Sequence, residues 1–269
     1  MLRLAVLTNR DIESCVALNL LHRALGARIG AVFLSERVGG KGPVSRALEP
    51  LSFLEQDFFT RHVFPAVERT PTTGRFLTFA EFERVHGIPV RALASARTTD
   101  ALDALRTARA DLFVSIRFGH ILGEDAIAIP PRGVLNLHSG LLPQYRGVIA
   151  TFRALLNGDD TIGCTLHWID SPSIDAGAIL EMPRVTVDRS QSLLWHILAL
   201  YPPGMHAMER AVLALETDRA LPTKPQDPNA GAYYSFPTDA DVAQFTAAGW
   251  RLFGRDDVDA LMARFAPAS

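Results

Sequence analysis

The 269-residue sequence predicts an α/β protein in which helices flank one mixed, mostly parallel β-sheet. Short runs of branched apolar residues, typical of buried strands, alternate with longer stretches of helical periodicity. The first three segments, 2–7, 12–25 and 27–34, fit a strand, a helix and a strand. Asp11 is the expected cap of that helix and Gly26 its end. A βαβ unit of this kind favours parallel strands.

Residues 39–78 interrupt this alternation. A glycine-rich loop at 39–43 precedes a dense apolar set at helical spacing in 48–67, with Pro50 near the expected helix start and Pro65 near a break. We interpret 39–78 as a helical insertion packed on the sheet. A lid over a functional site and a face for dimer formation are the two alternatives.

The strand and helix pattern resumes after the insertion. The predicted elements are helices at 79–86, 99–109 and 151–156 and strands at 89–93, 112–116, 133–137, 163–169 and 179–187. The close spacing of the last two strands indicates antiparallel neighbours, so the Rossmann-like sheet should be mixed.

The C-terminal part is expected to be mainly helical. The predicted elements are helices at 192–200 and 204–215 separated by Pro202-Pro203, a polar surface linker at 221–229, an extended segment at 233–237, and helices at 239–248 and 256–265. We therefore predict a main domain at 1–218 and a short C-terminal extension at 219–269 that packs on it.

The composition limits the classes of partner. A hydrophobic content of 48% fits a globular protein, and a net charge of -2 gives no basic excess that would point to nucleic acid. Cys15 and Cys164 are too few for a disulfide framework and form no Cys-x-x-Cys metal pair, which favours a reducing cytoplasm. No apolar run approaches the ~20 residues of a membrane span. We expect a cytoplasmic protein without membrane or metal partners, while a homodimer stays open.

Polar side chains stand where predicted strands end. Asn136 and His138 close one strand, and because they are two residues apart they share one face of it. The turn at 117–122 ends another strand, and Asp175 lies in the turn between two more. Since ligands of open α/β sheets bind beyond the carboxyl ends of strands, an amide, an imidazole and a carboxylate could meet there. The alternative for each residue taken singly is a turn-stabilising role.

Three segments resemble the folate-dependent formyltransferases. Residues 136–147, which read Asn-Leu-His-Ser-Gly-Leu-Leu-Pro-Gln-Tyr-Arg-Gly, are similar to that family's Asn-x-His-x-x-x-Leu-Pro-x-Tyr-Arg-Gly signature. Residues 173–180 resemble its apolar-Asp-x-Gly-x-Ile-Leu segment, and 118–122 resemble its aromatic-Gly-x-Ile-Leu turn. The similarity covers 112–187 well and the first βαβ unit weakly. It implies the formyltransferase fold for this chain.

The resemblance implies transfer of a formyl group from 10-formyltetrahydrofolate to an amine, with no metal ion and no covalent intermediate. Asn136 and His138 would donate hydrogen bonds to the formyl oxygen, and Asp175 would orient His138 and help to accept a proton. The implied donor-binding residues are Arg117, Phe118, Gly119, His120, Ile121, Leu122, Asp170 and Ile174. The candidate acceptor-binding residues are Asn9, Arg10, Tyr145 and Arg146. The alternative for Asn9, Arg10, His120, Tyr145 and Arg146 is a structural role in their loops.

Departures from the family's sequence pattern narrow the range of possible acceptors. The first loop, 8–11, lacks the glycine-rich phosphate cradle of the glycinamide ribonucleotide enzymes, and too little chain follows Val187 for the C-terminal barrel of the methionyl-tRNA enzymes. The sequence therefore predicts N-formylation of a small amine of the amino sugar, amino acid or hydroxylamine type, without a nucleic-acid partner. Two alternatives stay open. One is a 10-formyltetrahydrofolate hydrolase, against which the lack of an N-terminal regulatory domain argues, and the other is a non-catalytic folate- or nucleotide-binding protein on the same fold.

Overall fold

A computed structural model describes residues 1–36, 44–227 and 229–267 of the chain. The strands are β1 (Leu4–Asn9), β2 (Ile29–Ser35), β3 (Val90–Ala92), β4 (Leu112–Ile116), β5 (Val134–His138), β6 (Tyr145–Gly147), β7 (Thr161–Gly163), β8 (Thr165–Trp168), β9 (Ile179–Glu181), β10 (Arg184–Thr186) and β11 (Ala232–Tyr234). The helices are α1 (Ile12–Leu25), α2 (Glu49–Ser52), α3 (Phe64–Val67), α4 (Phe79–His86), α5 (Thr99–Thr107), α6 (Glu124–Ile127), α7 (Ala150–Leu156), α8 (Leu193–Glu216), α9 (Asp239–Ala247) and α10 (Arg255–Phe265).

The predicted mixed, mostly parallel sheet is confirmed. Within the described ranges the main sheet has seven strands in the order β3-β2-β1-β4-β5-β8-β9, of which β8 alone runs antiparallel to its neighbours β5 and β9. Apolar clusters cover both faces, with α1 and α8 on one side and α5 and α6 on the other. The carboxyl ends of β1, β4 and β5 lie side by side, since Thr8 is in register with Ile116 and Ile116 with Leu137. This edge is where the predicted polar side chains collect.

The insertion is helical in its described part. α2, a π-helix at Phe53–Val63 and α3 follow one another directly, with Pro50 in the first turn of α2 and Pro65 in the first turn of α3. Pro65 thus stands at the change from π to α geometry. The inward-facing side chains, among them Leu54 and Phe59, join the apolar core that includes α1. The predicted loop at 39–43 lies outside the described residues.

Two predicted strands are each divided, so the predictions of unbroken strands at 163–169 and 179–187 were wrong. The first comprises β7 and β8 and the second β9 and β10, and β7 pairs with β10 in a separate antiparallel sheet. Pro183 lies between β9 and β10, where its missing N–H interrupts the ladder of hydrogen bonds. Its carbonyl accepts from the Cys164 N–H at 3.1 Å, at the point where β7 gives way to β8.

The prediction of two helices separated at Pro202-Pro203 was also wrong. α8 is continuous, with both prolines inside it. A proline within a helix costs about 3 kcal/mol. However, α8 packs on α1, and Leu200, Tyr201 and Gly204 around the prolines are almost wholly buried. Burial of apolar surface on both sides of the prolines therefore offsets the lost hydrogen bonds.

The described residues of the predicted surface linker, 221–227 and 229, are exposed or half-buried, and the segment also pairs with the main sheet. Lys224 exchanges two backbone hydrogen bonds with Ile179 of β9, at 2.8 and 2.9 Å. Further along the chain, β11 pairs in parallel with β6. The C-terminal chain thus contacts both the edge of the main sheet and the loop after β5. None of the helices in the described ranges is long and apolar enough to cross a membrane.

Candidate active site

Asn136 and His138 lie on one face of β5, as their spacing predicts. β5 is an interior strand between β4 and β8, so its backbone is held by ladders on both sides. Leu137 points to the opposite face, where Gly204 of α8 approaches so closely that an added Cβ would lie 2.7 Å from Leu137 Cδ2. Asn136 is half-buried and His138 is buried. The amide and the imidazole are therefore presented by a rigid part of the sheet.

Both ring nitrogens of His138 face oxygen atoms of the protein. Nε2 lies 2.6 Å from the backbone carbonyl oxygen of Tyr145, and because a carbonyl only accepts, Nε2 carries the hydrogen. Nδ1 lies 3.5 Å from Asp175 Oδ2. A ring with a proton on both nitrogens would donate to both oxygens. The site therefore fixes the orientation of this imidazole from two sides.

Asp175 occupies the turn before β9 with a left-handed backbone, φ 52°, which costs a non-glycine residue about 1–2 kcal/mol. Its Oδ2 accepts from the Gly147 N–H at 2.9 Å, and its Oδ1 lies 3.6 Å from His167 Nε2. Burial raises the pKa of the Asp175 carboxyl, but His138, His167 and the Gly147 N–H outweigh it and hold this pKa at about 2. Asp175 is therefore ionised at neutral pH and faces two imidazoles.

The lowered pKa gives Asp175 a pH-dependent contribution to stability. An unfolded Asp titrates near about 3.9, whereas the folded Asp175 carboxyl has a pKa of about 2. The ionised carboxylate therefore stabilises the fold above about pH 4, and this stabilisation is lost as the pH falls towards about 2. We expect Asp175→Asn to lower the free energy of unfolding by about 2 kcal/mol at neutral pH and by progressively less below about pH 4. Urea denaturation of both proteins across this range tests it, and a difference that does not vary with pH would contradict it.

His167 is a site residue that the sequence analysis did not identify. It stands opposite Asn136 in the ladder between β5 and β8, and its Nε2 lies 3.0 Å from Asn136 Nδ2. Its Nδ1 lies 2.8 Å from the Trp168 carbonyl oxygen and therefore carries a hydrogen. Nε2 accepts from the Asn136 amide when it is unprotonated, and a proton on Nε2 faces Asp175 Oδ1 at 3.6 Å. The sequence shows only that His167 and Trp168 alternate on a strand. The register that brings His167 to Asn136 comes from the antiparallel pairing.

Tyr145 and Arg146 follow His138 in the loop. The Tyr145 hydroxyl donates to Asp159 Oδ2 at 2.7 Å, and burial together with that carboxylate raises the pKa of the phenol to about 12. It is the backbone carbonyl of Tyr145, rather than its side chain, that contacts His138. The Arg146 guanidinium donates to the carbonyl oxygen of Asp227 at 3.1 Å. A cleft of about 490 Å³ beside the Asp175 turn is lined by Arg146, Ser173, Ile174, Ala176, Gln226 and Tyr233.

Arg117 lies in a buried cluster of charged side chains at the end of β4. Its guanidinium contacts Asp11 Oδ2 at 3.1 Å, Glu13, and Glu55 Oε2 of the insertion at 3.7 Å. Burial raises the pKa of both Glu13 and Glu55, although Arg117 opposes the shift. The positive charge of Arg117 is thus matched by carboxylates of the chain itself. These contacts fix the insertion onto the start of α1.

Asn9 and Arg10 are held in the first loop by neighbouring side chains. Asn9 is fully buried; its amide donates to Asp11 Oδ2 at 2.7 Å and its carbonyl oxygen accepts from Ser35 Oγ at 2.9 Å. Arg10 forms an exposed ion pair with Glu36 at 3.2 Å. The contacts of both residues stabilise the turn between β1 and α1.

The 118–122 turn is fixed by side-chain contacts with β2 and the residue after β3. The Gly119 N–H donates to Ser35 Oγ at 2.9 Å, and His120 Nε2 lies 2.8 Å from the Leu93 carbonyl oxygen. The rings of Phe118 and His120 meet edge to face. Within the turn Leu122 is buried, whereas the large apolar side chain of Ile121 is 43% exposed.

The second predicted donor-binding segment also presents an exposed apolar side chain. Ile174, next to Asp175, is 40% exposed, and Asp170 is exposed as well. Ile121 and Ile174 therefore offer apolar surface at the two segments that the sequence assigns to the donor.

Possible metal ligands and thiols are both present in the part of the chain that the structure describes. No three or more His, Cys, Asp or Glu side chains there are arranged to hold a metal ion. Cys15 and Cys164 are buried, and burial raises the pKa of both thiols, that of Cys164 to about 12. Because the thiolate is the reactive form, neither residue is a nucleophile at neutral pH.

Comparison with known proteins agrees with this geometry. The model of the family described as Formyl transferase matches residues 73–194, which contain Asn136, His138 and Asp175. This central part of the chain is similar to the formyl transferases. A methionyl-tRNA formyltransferase of Burkholderia ambifaria is 35% identical over 158 residues, which cover 55% of this chain and 47% of that protein. The chain spans about half the length, or less, of the curated formyltransferases it matches.

Solved structures share the formyl transferase fold. A phosphoribosylglycinamide formyltransferase from Anaplasma phagocytophilum superimposes with a TM-score of 0.59 at 18% identity, covering 88% of this chain and 98% of that chain. An N-formyltransferase from Helicobacter canadensis, in complex with folinic acid and dTDP-3-aminofucose, superimposes with a TM-score of 0.58 at 15% identity, covering 90% and 72%. The predicted fold class is therefore confirmed.

Proposed function

We propose that this chain is a formyl transferase that moves the formyl group of 10-formyltetrahydrofolate to the amine of a small acceptor. The observation that carries the proposal is the meeting of Asn136, His138 and Asp175 from two distant segments, with 3.5 Å between His138 Nδ1 and Asp175 Oδ2. The amide, the imidazole and the ionised carboxylate are the groups that acyl transfer to nitrogen needs. The presence of folinic acid or 5-N-formyl-THF in the structures of two neighbours supports a folate donor.

Each of the two segments proposed to bind the donor, 118–122 and 170–175, presents one exposed apolar side chain. Ile121 is 43% exposed and Ile174 is 40% exposed, and apolar side chains of this kind suit the flat ring system of a folate. The donor supplies the formyl carbon and a departing nitrogen atom. The residues of this chain bind it, orient it and move the proton.

Asn136 stabilises the negative charge that develops on the formyl oxygen. One of its amide hydrogens points to His167 Nε2, which fixes the amide plane, and the second is left for the formyl oxygen. His138 can donate to the same oxygen if its Nε2–H breaks the hydrogen bond to the Tyr145 carbonyl and forms one to the formyl oxygen. Hydrogen bonds of this kind often rearrange when a substrate binds.

The Asp175 carboxylate offsets the positive charge that develops on the attacking amine. The attacking amine loses one proton and the departing folate nitrogen gains one, so a proton must move without net release. A carboxylate with a pKa of about 2 is a weak base, and its main contribution is to stabilise positive charge on the attacking nitrogen and on His138. Proton movement then proceeds through His138 or through solvent at the cleft.

The cleft favours a small acceptor. Its volume of about 490 Å³ is in the range of sites for small molecules, and the exposed ring of Tyr233 in its lining can pack against a ring-bearing amine. An amino sugar, an amino acid and a hydroxylamine all meet these requirements. The carboxylates around Arg117 argue against an acceptor phosphate at the first loop.

A donor-turnover assay tests the proposal. The purified chain is incubated with 10-formyltetrahydrofolate, with and without a panel of small amines, and tetrahydrofolate and formylated amine are both measured. We expect turnover that requires an amine and falls by roughly 100-fold or more in His138→Ala. His206→Ala, which removes an exposed imidazole from α8, is the matched control and should keep full activity.

The alternatives give different results in the same assay. Turnover that does not depend on any amine would indicate a hydrolase. Donor binding without turnover under any condition, unchanged in His138→Ala, would indicate a non-catalytic folate-binding protein.

A further inference from the structure

A C-terminal clasp, residues 224–227 and 229–234, contacts both elements that hold Asp175. At one end, Lys224 pairs with Ile179 just beyond the Asp175 turn. At the other end, β11 pairs in parallel with β6. β6 includes Gly147, whose N–H donates to the Asp175 carboxylate. The clasp therefore joins the Asp175 turn to the loop that follows β5.

Gln226 is the side chain by which the clasp reaches this turn. Its Nε2 lies 2.8 Å from the carbonyl oxygen of Asp175 and 2.8 Å from that of Gly177. Because a primary amide carries two hydrogens on this nitrogen, it can donate one to each carbonyl. The single amide thus bridges the two residues that flank Ala176.

The conformation of the turn explains why such a bridge is needed. Asp175 has a left-handed backbone, which Asp adopts more readily than most other L residues but less readily than glycine. Gly177 packs so tightly that an added Cβ would lie 1.8 Å from the Trp168 carbonyl oxygen. Such a turn persists only when surrounding contacts hold it. Gln226 supplies two of these contacts, at the residue that carries the carboxylate and at the close-packed glycine.

We infer that Gln226 is a positioning residue for formyl transfer, which acts by holding the Asp175 carboxylate against His138 and His167. The inference rests on the proposed function for its kinetic effect. Displacements of about 1 Å far from the chemistry can slow an enzyme about 100-fold. The clasp is therefore part of the active site, although none of its residues needs to touch the reacting atoms.

The test replaces Gln226 with Met, which has the same length but no donor. We expect Gln226→Met to lower kcat by roughly 10- to 100-fold while KM for the donor changes little. Gln244→Met, at an exposed position of α9 in the same C-terminal part, is the matched control and should leave kcat unchanged. If Gln226→Met does not fold, Gln226→Asn takes its place in the same kcat comparison. It keeps both amide hydrogens, but its side chain is one carbon shorter.

A double-mutant cycle separates positioning from general stability. In an Asp175→Ala background the carboxylate is gone, so Gln226→Met should cause little further loss of kcat if it acts through that group. An equal fold-loss in both backgrounds would show that Gln226 acts independently of Asp175 and would overturn the inference.

A titration provides a second readout that needs no formyl transfer. Carbon NMR of the Asp175 carboxyl should show its pKa rising from about 2 towards the ordinary value in Gln226→Met, because the carboxylate withdraws from the two imidazoles. An unchanged pKa, equal to that in Gln244→Met, would refute the positioning role. A shifted pKa in a protein that formylates no amine would instead retain the positioning role and reject the proposed function.

Discussion

Asn136→Ala is expected to lower kcat for formyl transfer about 100-fold or more and to leave KM for the donor nearly unchanged. Asn136 is held by β5 between two ladders, with one amide hydrogen on His167, so its second hydrogen is preorganised for the formyl oxygen. Loss of one such donor costs about 100- to 1,000-fold in kcat in acyl-transfer enzymes. Steady-state kinetics with the amine found in the turnover assay measures the effect. Equal losses in donor binding and in kcat would point instead to a structural role for the amide.

His167 provides the control for this variant. Since Asn136 also donates to His167, removal of the amide could act by releasing that ring. His167→Leu removes the ring while keeping Asn136. If Asn136→Ala lowers kcat as strongly in the His167→Leu background as in the wild type, the amide acts on the substrate. A much smaller effect in that background would show that Asn136 works through His167.

Arg75→Met is expected to lower the free energy of unfolding by about 3–5 kcal/mol, the usual cost of breaking a buried ion pair from one side. The side chains of Arg75 and Glu81 are 0% and 1% exposed, and two N–H···O bonds of 2.8 and 2.7 Å join them. The same guanidinium donates to the carbonyl oxygens of Val67, Thr70, Pro71 and Phe76. Methionine would leave a buried carboxylate and several carbonyls without these donors. Urea denaturation at pH 7 measures the loss.

Arg84→Met is the matched control for the ion pair. Arg84 contacts the same carboxylate at 2.9 Å, but its side chain is 58% exposed, so its removal should cost no more than about 1 kcal/mol. Similar losses of unfolding free energy in Arg75→Met and Arg84→Met would contradict the claim that burial makes the ion pair of Arg75 with Glu81 strong. Replacing Arg75 and Glu81 together by apolar residues should recover part of the stability, because neither partner is then left alone.

The sequence predicts those parts of the fold that depend on local patterns. The runs of buried residues locate β1, β4 and β5 closely, and Asp11 and Gly26 mark the two ends of α1. The continuous α8 could not be predicted, because packing on α1 outweighs the local preference of two prolines. The division of 179–187 depends on which strand each half pairs with, and no local pattern carries that information.

In the candidate site, too, the residues that a local pattern marks could be predicted, and those that depend on long-range pairing could not. Asn136 and His138 could be grouped from their spacing and Asp175 from its place in the turn between two strands, and the structure brings Asp175 to 3.5 Å from His138. His167 and Gln226 could not be found in this way. Each enters the site through pairing between segments far apart in the chain, His167 opposite β5 and Gln226 beyond the bridge to β9.

The parallel pairing of β11 with β6 has a consequence for biosynthesis. The strand that carries Asn136 and His138 leaves the ribosome long before Tyr234, yet the loop that follows it is completed only by that later stretch. A nascent polypeptide can therefore form the central sheet early and still lack the geometry of its reacting groups. Catalytic activity should therefore appear late, in a separate step of folding that follows formation of the central sheet.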